Sequence, residues 1–319
     1  MSEQRVGTTK LAIVGAGSVG ATLAYACLVR GAAQTVALYD LDSAKVDAEV
    51  LDLRHGLQFV PRADIVGSDD VAVCADSDVV IVTAGAKQKP GQTRLDLART
   101  NVDICRALVP QLLEVAPDAV LQMVTNPVDV VTYAAIKFAG LPAGRVFGSG
   151  TVLDSSRLRD LIARHCGVAV QNVHAWIVGE HGDSEIPLWS SADIGAIPLD
   201  SFSAPGHPTL DEATKKQIAT EVVTAAEQII RGKGATNYAI GLSSARIVEA
   251  ILNDENRVLP VSTLLDGYHG IDDVCLSVPC IVNRKGVDAV LDVPMSPDEE
   301  EGLRRSGDTV RAVARSLGL

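Results

Sequence analysis

The sequence predicts an α/β protein in which a doubly wound parallel sheet is followed by a second, mixed α/β domain. The chain has 319 residues, more than one compact core usually organises. Its first 150 residues alternate short apolar, β-branched runs with longer segments of helical periodicity, a pattern typical of βαβ units. The order of elements changes after Gly150. We therefore expect one domain over residues 1–150 and a second over residues 151–319.

The first domain is expected to contain six parallel strands separated by helices. The candidate strands are Lys10–Val14, Thr35–Tyr39, Ala63–Val66, Asp78–Thr83, Ala119–Thr125 and Arg145–Gly148. The candidate helices are Val19–Arg30, Ala44–Leu53, Arg94–Val115 and Val130–Phe138. Pro110 lacks an amide hydrogen and is expected to kink the third helix or divide it in two.

The second domain is expected to mix helices with short strands. In chain order we expect a helix, several short strands, two helices, further strands and a final helix. The named segments are Leu153–His165, His174–Ile197, Asp211–Arg231 and Ala235–Leu252.

Composition and charge favour a small-molecule partner. Hydrophobic residues make up 47% of the chain and charged residues 21%, the balance of a globular protein. A formal charge of −12 opposes binding to nucleic acid or to an anionic membrane. The uncharged run 11–29 superficially suits a membrane segment, but three glycines interrupt it. The six cysteines form no CxxC pair or metal-ligand spacing, so we expect buried thiols, no metal and a cytoplasmic location.

A glycine-rich motif follows the first strand directly and opens the first helix. The segment GAGSVG, residues 15–20, fits the GxGxxG pattern. Gly15 permits the tight turn, Gly17 lets the backbone approach a pyrophosphate, and Gly20 allows close helix packing. The helix N-terminus adds free N–H groups and positive potential. This context favours a dinucleotide-binding Rossmann domain over a plain glycine turn.

The end of the second strand indicates which dinucleotide is bound. Asp40 lies twenty residues after Gly20, where a carboxylate accepts the ribose hydroxyls of an adenosine and repels a 2′-phosphate. NAD is therefore favoured over NADP, although FAD-binding proteins share the motif. Asp42 nearby is expected to be a solvated turn residue. The segments TAGA (83–86) and VTNP (124–127) follow later strands and are expected to line the nicotinamide half.

Two further segments carry residues suited to acid–base and carboxylate chemistry. His181 stands between glycines after an apolar strand, and histidine is the natural proton carrier near neutral pH. Asp154 and Arg157 are three apart on a predicted helix, so both project from one face. Taken alone, that spacing equally suits a surface ion pair.

Together the motifs resemble the lactate and malate dehydrogenase family almost from end to end. The matching segments are GAGSVG, DLRHG, VTAGAKQKPGQTRLDL, VTNPVD, GSGTVLDSSRLR, VGEHGDSEIPLWS and GKGATNYAIG. The resemblance implies that His181 is the acid/base, that Asp154 orients it, and that Arg157 grips the substrate carboxylate. It implies that Arg94 and Asn126 stabilise the developing alkoxide, that Thr236 touches the methyl end of the substrate, and that the Asn126–Pro127 bond is cis.

The resemblance also supplies the cofactor set and the choice of substrate. NAD would contact Gly15, Gly17, Val19, Gly20, Asp40, Gly85, Ala86, Val124, Asn126 and Ser149. Gln88 occupies the position in a mobile lid where malate dehydrogenases carry an arginine for a second carboxylate. A glutamine adds no charge, which favours pyruvate and L-lactate as substrates. Lys87 and Lys89 flank it and are expected to point to solvent.

Arg159 and His174 match positions that bind fructose 1,6-bisphosphate in activated bacterial members, and the family implies a homotetramer built on two-fold axes. Three alternatives remain open from the residues: a malate or other 2-hydroxyacid dehydrogenase, a non-catalytic dinucleotide sensor and a metal-dependent hydrolase. The last lacks paired ligands such as HExxH. The sensor would have no need of the acid, histidine and arginine set.

Overall fold

The computed structural model describes residues 8–86 and 93–319. Its first six strands lie side by side in the order β3-β2-β1-β4-β5-β6, and every neighbouring pair is parallel. This is the strand order of a doubly wound nucleotide-binding sheet, as the sequence predicts. The strands are β1 Lys10–Val14, β2 Thr35–Tyr39, β3 Asp64–Ser68, β4 Val79–Val82, β5 Val120–Met123 and β6 Val146–Gly148.

Five short strands follow in two small sheets, antiparallel throughout. They are β7 Val173–His174, β8 Ile177–Val178, β9 Ile186–Pro187, β10 Asp193–Ile194 and β11 Ile197–Pro198. The loop that carries His181 joins β8 to β9, so the two strands of one small sheet fix both of its ends.

The last three strands extend the first sheet rather than forming one of their own. They are β12 Arg257–Leu265, β13 Val274–Asn283 and β14 Gly286–Val290. β12 pairs antiparallel with β6 through Ser262 and Gly148, which completes a nine-stranded sheet. The sequence analysis anticipated these strands only as part of the second domain. A continuous sheet therefore runs across residue 150.

The helices follow the predicted positions with ends shifted by a few residues. They are α1 Ser18–Arg30, α2 Ser43–His55, α3 Arg94–Val115, α4 Val128–Ala139, α5 Val152–Cys166, α6 Glu212–Lys233, α7 Tyr238–Leu252 and α8 Pro297–Ser316. Division at Pro110 is wrong, because α3 continues through it as one helix. Asp42 is not simply a solvated turn residue: its side chain accepts a hydrogen bond from the backbone N–H of Lys45 and caps α2.

The core lies on both faces of the parallel sheet. Along β1, Leu11 and Ile13 belong to one buried cluster, whereas Ala12 and Val14 belong to another. Both faces are therefore covered, which explains why this strand is apolar throughout rather than alternating. The uncharged run 11–29 is divided between β1 and α1, and none of the helices in the described ranges is long and apolar enough to cross a membrane. All six cysteines are free and buried, as expected.

Candidate active site

The glycine loop after β1 leaves a cradle that a backbone-binding ligand fits. Gly15 has φ +105°, and a Cβ there would lie 2.8 Å from the backbone nitrogen of Ala84. A Cβ on Gly20 would lie 1.8 Å from the carbonyl oxygen of Gly15. Gly17 is different, because a Cβ built on it meets no atom of the described part of the chain within 4 Å. Two glycines are thus required by packing, while the third faces open space.

The start of α1 supplies hydrogen-bond donors to that space. No side chain caps this helix, so the N–H groups of its first turn, which includes Val19, face outward. Asp40 ends β2 beside the loop, and its Oδ2 accepts a hydrogen bond from the backbone N–H of Ala16 at 2.7 Å. Unpaired N–H groups, a positive helix end and a nearby carboxylate together fit the pyrophosphate and ribose of a dinucleotide.

The loops after β4 and β5 are tied to each other by Asn101 of α3. Its Oδ1 accepts a hydrogen bond from the backbone N–H of Ala86 at 2.7 Å, and its Nδ2 donates to the carbonyl of Asn126 at 2.7 Å. Sequence reasoning missed Asn101, since an asparagine within an amphipathic helix gives no signal of its own. A Cβ on Gly85 would lie 2.3 Å from the Thr125 side chain, so the two loops touch.

Residues at the ends of β5 and β6 complete this edge of the sheet. The backbone N–H of Val124 donates to the carbonyl of Val82, and that of Ser149 donates to the carbonyl of Met123. The Asn126–Pro127 bond is cis, in agreement with the family resemblance. The strand-end residues assigned to the cofactor therefore lie along one carboxyl edge, where open α/β sheets bind ligands.

A buried carboxylate on α5 joins the predicted histidine to the predicted arginine. Asp154 Oδ2 lies 2.6 Å from His181 Nδ1, and its Oδ1 accepts from Arg157 at 2.6 Å. Asp154 is only 1% exposed, so this is no surface ion pair. With Nδ1 engaged by Asp154, the ring's Nε2 is left as the atom that exchanges a proton with a ligand.

The pair shifts the pKa of both members towards the charged forms. Burial alone would lower the pKa of His181, but the charge and hydrogen bond of Asp154 outweigh it and raise that pKa to about 9. Burial opposes ionisation of Asp154 too, yet His181 and Arg157 hold its pKa below the ordinary value. The histidine is therefore a protonated acid at neutral pH.

A second buried carboxylate holds the backbone of the histidine. The Asp129 Oδ2 atom accepts from the backbone N–H of His181 at 2.8 Å, and its Oδ1 accepts from the Ser262 hydroxyl at 2.6 Å. Burial raises the pKa of Asp129 to about 6, although both hydrogen bonds oppose that rise. Asp129 is not among the site residues predicted from sequence. An acid in the first turn of the apolar helix α4 was the available signal.

Glu185 also faces this cluster and was missed. One side-chain ligand atom from each of Asp154, His181 and Glu185 lies within 4.8 Å of the other two. The Oε1 atom of Glu185 is shielded from solvent and has no hydrogen-bond partner among the described residues. Burial, followed by the charge of Asp154, raises the pKa of Glu185 to about 8.

The structure describes only some of the other residues that were predicted to contact the substrate. Arg94 begins α3, is largely exposed and lies 2.5 Å from Asp183, two residues from His181. Thr236 is half-buried in the segment between α6 and α7. Within the described ranges, no hydrogen bond or salt bridge connects it to His181. Gln88 and its neighbours Lys87 and Lys89 lie outside the described residues.

Arg159 contacts Ala175 and Trp176, the two residues that follow His174 along the chain. The Arg159 guanidinium stacks on the Trp176 ring at 4.4 Å and donates to the carbonyl of Ala175 at 2.9 Å. His174 is exposed on β7, opposite Asp193 of β10. Arg159 therefore lies close to the segment that carries His174.

Comparisons with protein families match nearly the whole chain. Residues 9–148 match the lactate/malate dehydrogenase NAD binding domain, and residues 151–316 match the lactate/malate dehydrogenase alpha/beta C-terminal domain.

Individual relatives point the same way. An L-lactate dehydrogenase of Bifidobacterium animalis subsp. lactis is 55% identical over 98% of both chains, and one of Acetivibrio thermocellus is 44% identical over 97% of this chain and 98% of its own. Among solved structures, the minor L-lactate dehydrogenase of Enterococcus mundtii in a ligands-bound form is 40% identical. It has a TM-score of 0.93 and covers 97% of this chain and 98% of its own.

Proposed function

Because this chain belongs to the lactate/malate dehydrogenase family, we propose that the cluster of His181, Asp154 and Arg157 is its catalytic centre. The activity is that of an NAD-dependent L-lactate dehydrogenase, the reversible reduction of pyruvate to L-lactate. What supports the residue assignment best is the single buried carboxylate of Asp154, which binds both the histidine and the arginine.

Arg157 binds the substrate carboxylate. One guanidinium nitrogen is engaged by Asp154, and the remaining donors, which have no partner within residues 8–86 and 93–319, can form two parallel hydrogen bonds to a carboxylate. Because α5 and Asp154 hold the guanidinium in place, the substrate carbonyl is oriented at little entropic cost. A lysine could not reproduce that geometry.

His181 supplies the proton in pyruvate reduction. The nicotinamide of bound NADH supplies the hydride to C2 of the substrate, and would be held along the edge formed by Gly85, Ala86, Val124, Asn126 and Ser149. As negative charge develops on the carbonyl oxygen, Nε2 of His181 donates its proton there. Asp154 keeps the ring in the correct tautomer, and Asp129 fixes the backbone that carries it. In lactate oxidation the neutral ring accepts the proton.

Arg94 is proposed to polarise the carbonyl after leaving Asp183. The ion pair between them is exposed, so exchanging it for a substrate oxygen costs little. Asn126 lies at the end of β5 and would donate to the same oxygen. Thr236 is proposed for the methyl end of the substrate.

Choice between pyruvate and oxaloacetate is proposed to rest on Gln88, which carries no charge for a second carboxylate. The test follows NADH absorbance with purified protein and either 2-oxo acid. We expect kcat/KM for pyruvate to exceed that for oxaloacetate by about 100-fold, equivalent to about 2.7 kcal/mol. A preference for oxaloacetate would leave the fold and the histidine mechanism intact and refute the Gln88 assignment.

A regulatory anion site is proposed at Arg159 and His174. Two copies of this pair across a two-fold axis would present four cationic groups to a sugar bisphosphate, within the proposed homotetramer. Adding fructose 1,6-bisphosphate to the same assay between pH 5.5 and 7.5 should lower the KM for pyruvate, and an unchanged KM would refute it. The free thiols and the acidic chain support the proposed cytoplasmic location.

A further inference from the structure

The catalytic cluster contains one acid that the reaction as described does not use. Glu185 directly precedes β9, and its Oε1 atom is buried without a hydrogen-bond partner among the residues that the structure describes. An ionised carboxylate is costly to bury in this way, since the buried oxygen has lost its water and gained no hydrogen bond. A neutral carboxyl group carries a smaller penalty.

Charged side chains of both signs surround Glu185, and the one with the largest effect, Asp154, opposes a further anion. Asp154 and Arg157 reach it from α5, and His181 and Glu180 lie on its own loop. Towards α8 the loop meets the uncharged Ser306, which donates to Ser184 or accepts from it at 2.9 Å. Glu180 is itself satisfied by the Ser184 hydroxyl. Glu185 therefore has two acids, one histidine and one arginine as neighbours, and its Oε1 atom accepts no hydrogen bond from any residue in the described ranges.

On the basis of the proposed function, we propose that Glu185 is a positioning residue that acts in its neutral form. The anionic substrate binds tightly only while the Glu185 carboxyl group is protonated. With Glu185 neutral, the charges of Asp154 and Glu180 balance those of protonated His181 and Arg157, so the cluster sums to zero. With Glu185 ionised, the cluster sums to −1, and the entering carboxylate meets an additional anion in a site of low dielectric.

The consequence is that two protons must be present for tight substrate binding, one on His181 and one on Glu185. Their titrations are coupled, because an ionised Glu185 would also hold the proton on His181 more firmly. At alkaline pH the affinity for a pyruvate analogue should therefore fall with the square of the proton concentration. If Glu185 stayed ionised throughout, or had no effect on binding, only one proton would be involved.

The test measures binding of oxamate, a non-reducible analogue of pyruvate, to the NADH complex by quenching of nicotinamide fluorescence. At alkaline pH, beyond both ionisations, the wild-type Kd should rise about 100-fold per pH unit, because two protons are lost, whereas Glu185→Gln should show about 10-fold per unit. Glu180→Gln, on the same loop, should retain the wild-type slope. Equal slopes in the wild type and Glu185→Gln would overturn the proposal.

A second readout needs no turnover. Infrared difference spectra across a pH titration of the wild type should show a protonated-carboxyl band that disappears near pH 8 and is missing in Glu185→Gln. Asp129 titrates nearer pH 6 and gives a separate step. No such band near pH 8 would overturn the proposal. Absence of pyruvate reduction at any pH, with the band present, would instead count against the proposed function.

Discussion

Asp154 accepts from Arg157 with one carboxylate oxygen and meets Nδ1 of His181 with the other, each at 2.6 Å. The group that binds the substrate and the group that protonates it are thus fixed relative to each other by a single buried side chain. A displacement of Asp154 would therefore displace both Arg157 and His181.

Replacing Asp154 by asparagine should move the alkaline limit of pyruvate reduction to lower pH. Without the negative charge, the pKa of His181 falls from about 9 towards its ordinary value of 6.5. At pH 8 the loss of protonated histidine alone should lower kcat/KM about 30-fold. A pH–rate profile of the variant measures this. Asp160→Asn, on the same helix but paired with the exposed Arg164, should leave the profile unchanged.

Replacing Arg157 by lysine should weaken pyruvate binding more than it slows the chemical step. The ammonium keeps the charge but loses the paired hydrogen bonds, so KM should rise about 10- to 100-fold. Steady-state kinetics with pyruvate give KM and kcat separately. The matched control is Arg164→Lys, about two turns further along α5 at an exposed position, which should behave as wild type. A similar rise in KM for both variants would contradict the assignment.

Alanine at two glycines of the same loop should produce opposite phenotypes. Gly17→Ala places a methyl group in space that no protein atom occupies, so Tm should stay within a degree or so while the Kd for NADH rises about 10-fold. Gly20→Ala drives a methyl group into the carbonyl of Gly15 and should cost about 1–3 kcal/mol of stability. Calorimetry and NADH fluorescence distinguish the two. Equal destabilisation would show that Gly17 is a packing residue.

Stability should fall as the pH rises through the ionisation of His181. Its pKa is about 9 in the folded protein and about 6.5 in the unfolded chain, so its stabilising contribution is complete below pH 6.5 and is lost by pH 9. The contribution is at most about 3 kcal/mol. Denaturant titrations at pH 6 and pH 9.5 should show a smaller fall for His181→Gln than for the wild type. His55→Gln, at an exposed position of α2, should match the wild type.

The sequence was most informative where one residue type is needed in one local setting. The GAGSVG segment predicted the turn and the cradle because a strand, a glycine and a helix follow one another directly. Asp154 and Arg157 were placed on one face by helical spacing alone. The hydrogen bonds of Asn101 and Ser262 escaped prediction because each joins residues at least 15 positions apart, and the fold alone brings them together.

The parallel half of the sheet was also predictable, and its extension was not. Apolar runs between helices indicate β1 to β6. The sequence of β12 itself gives no indication that this strand pairs with β6. At Pro110 the sequence predicted an interruption of α3 that the structure does not show. Its effect depends on what packs around α3, and buried Val109 and Leu112 beside it hold the helix together.

The pairing of Gly148 with Ser262 has a mechanical consequence. The hydroxyl of Ser262 also anchors Asp129, which in turn carries the backbone of His181. A displacement of β6 and α4 relative to β12 would break this pair and the hydrogen bonds that link Asp129 to Ser262 and to the backbone of His181. These contacts join α4 and β6 to the histidine loop and β12, so a movement that separated these parts would have to break all of them.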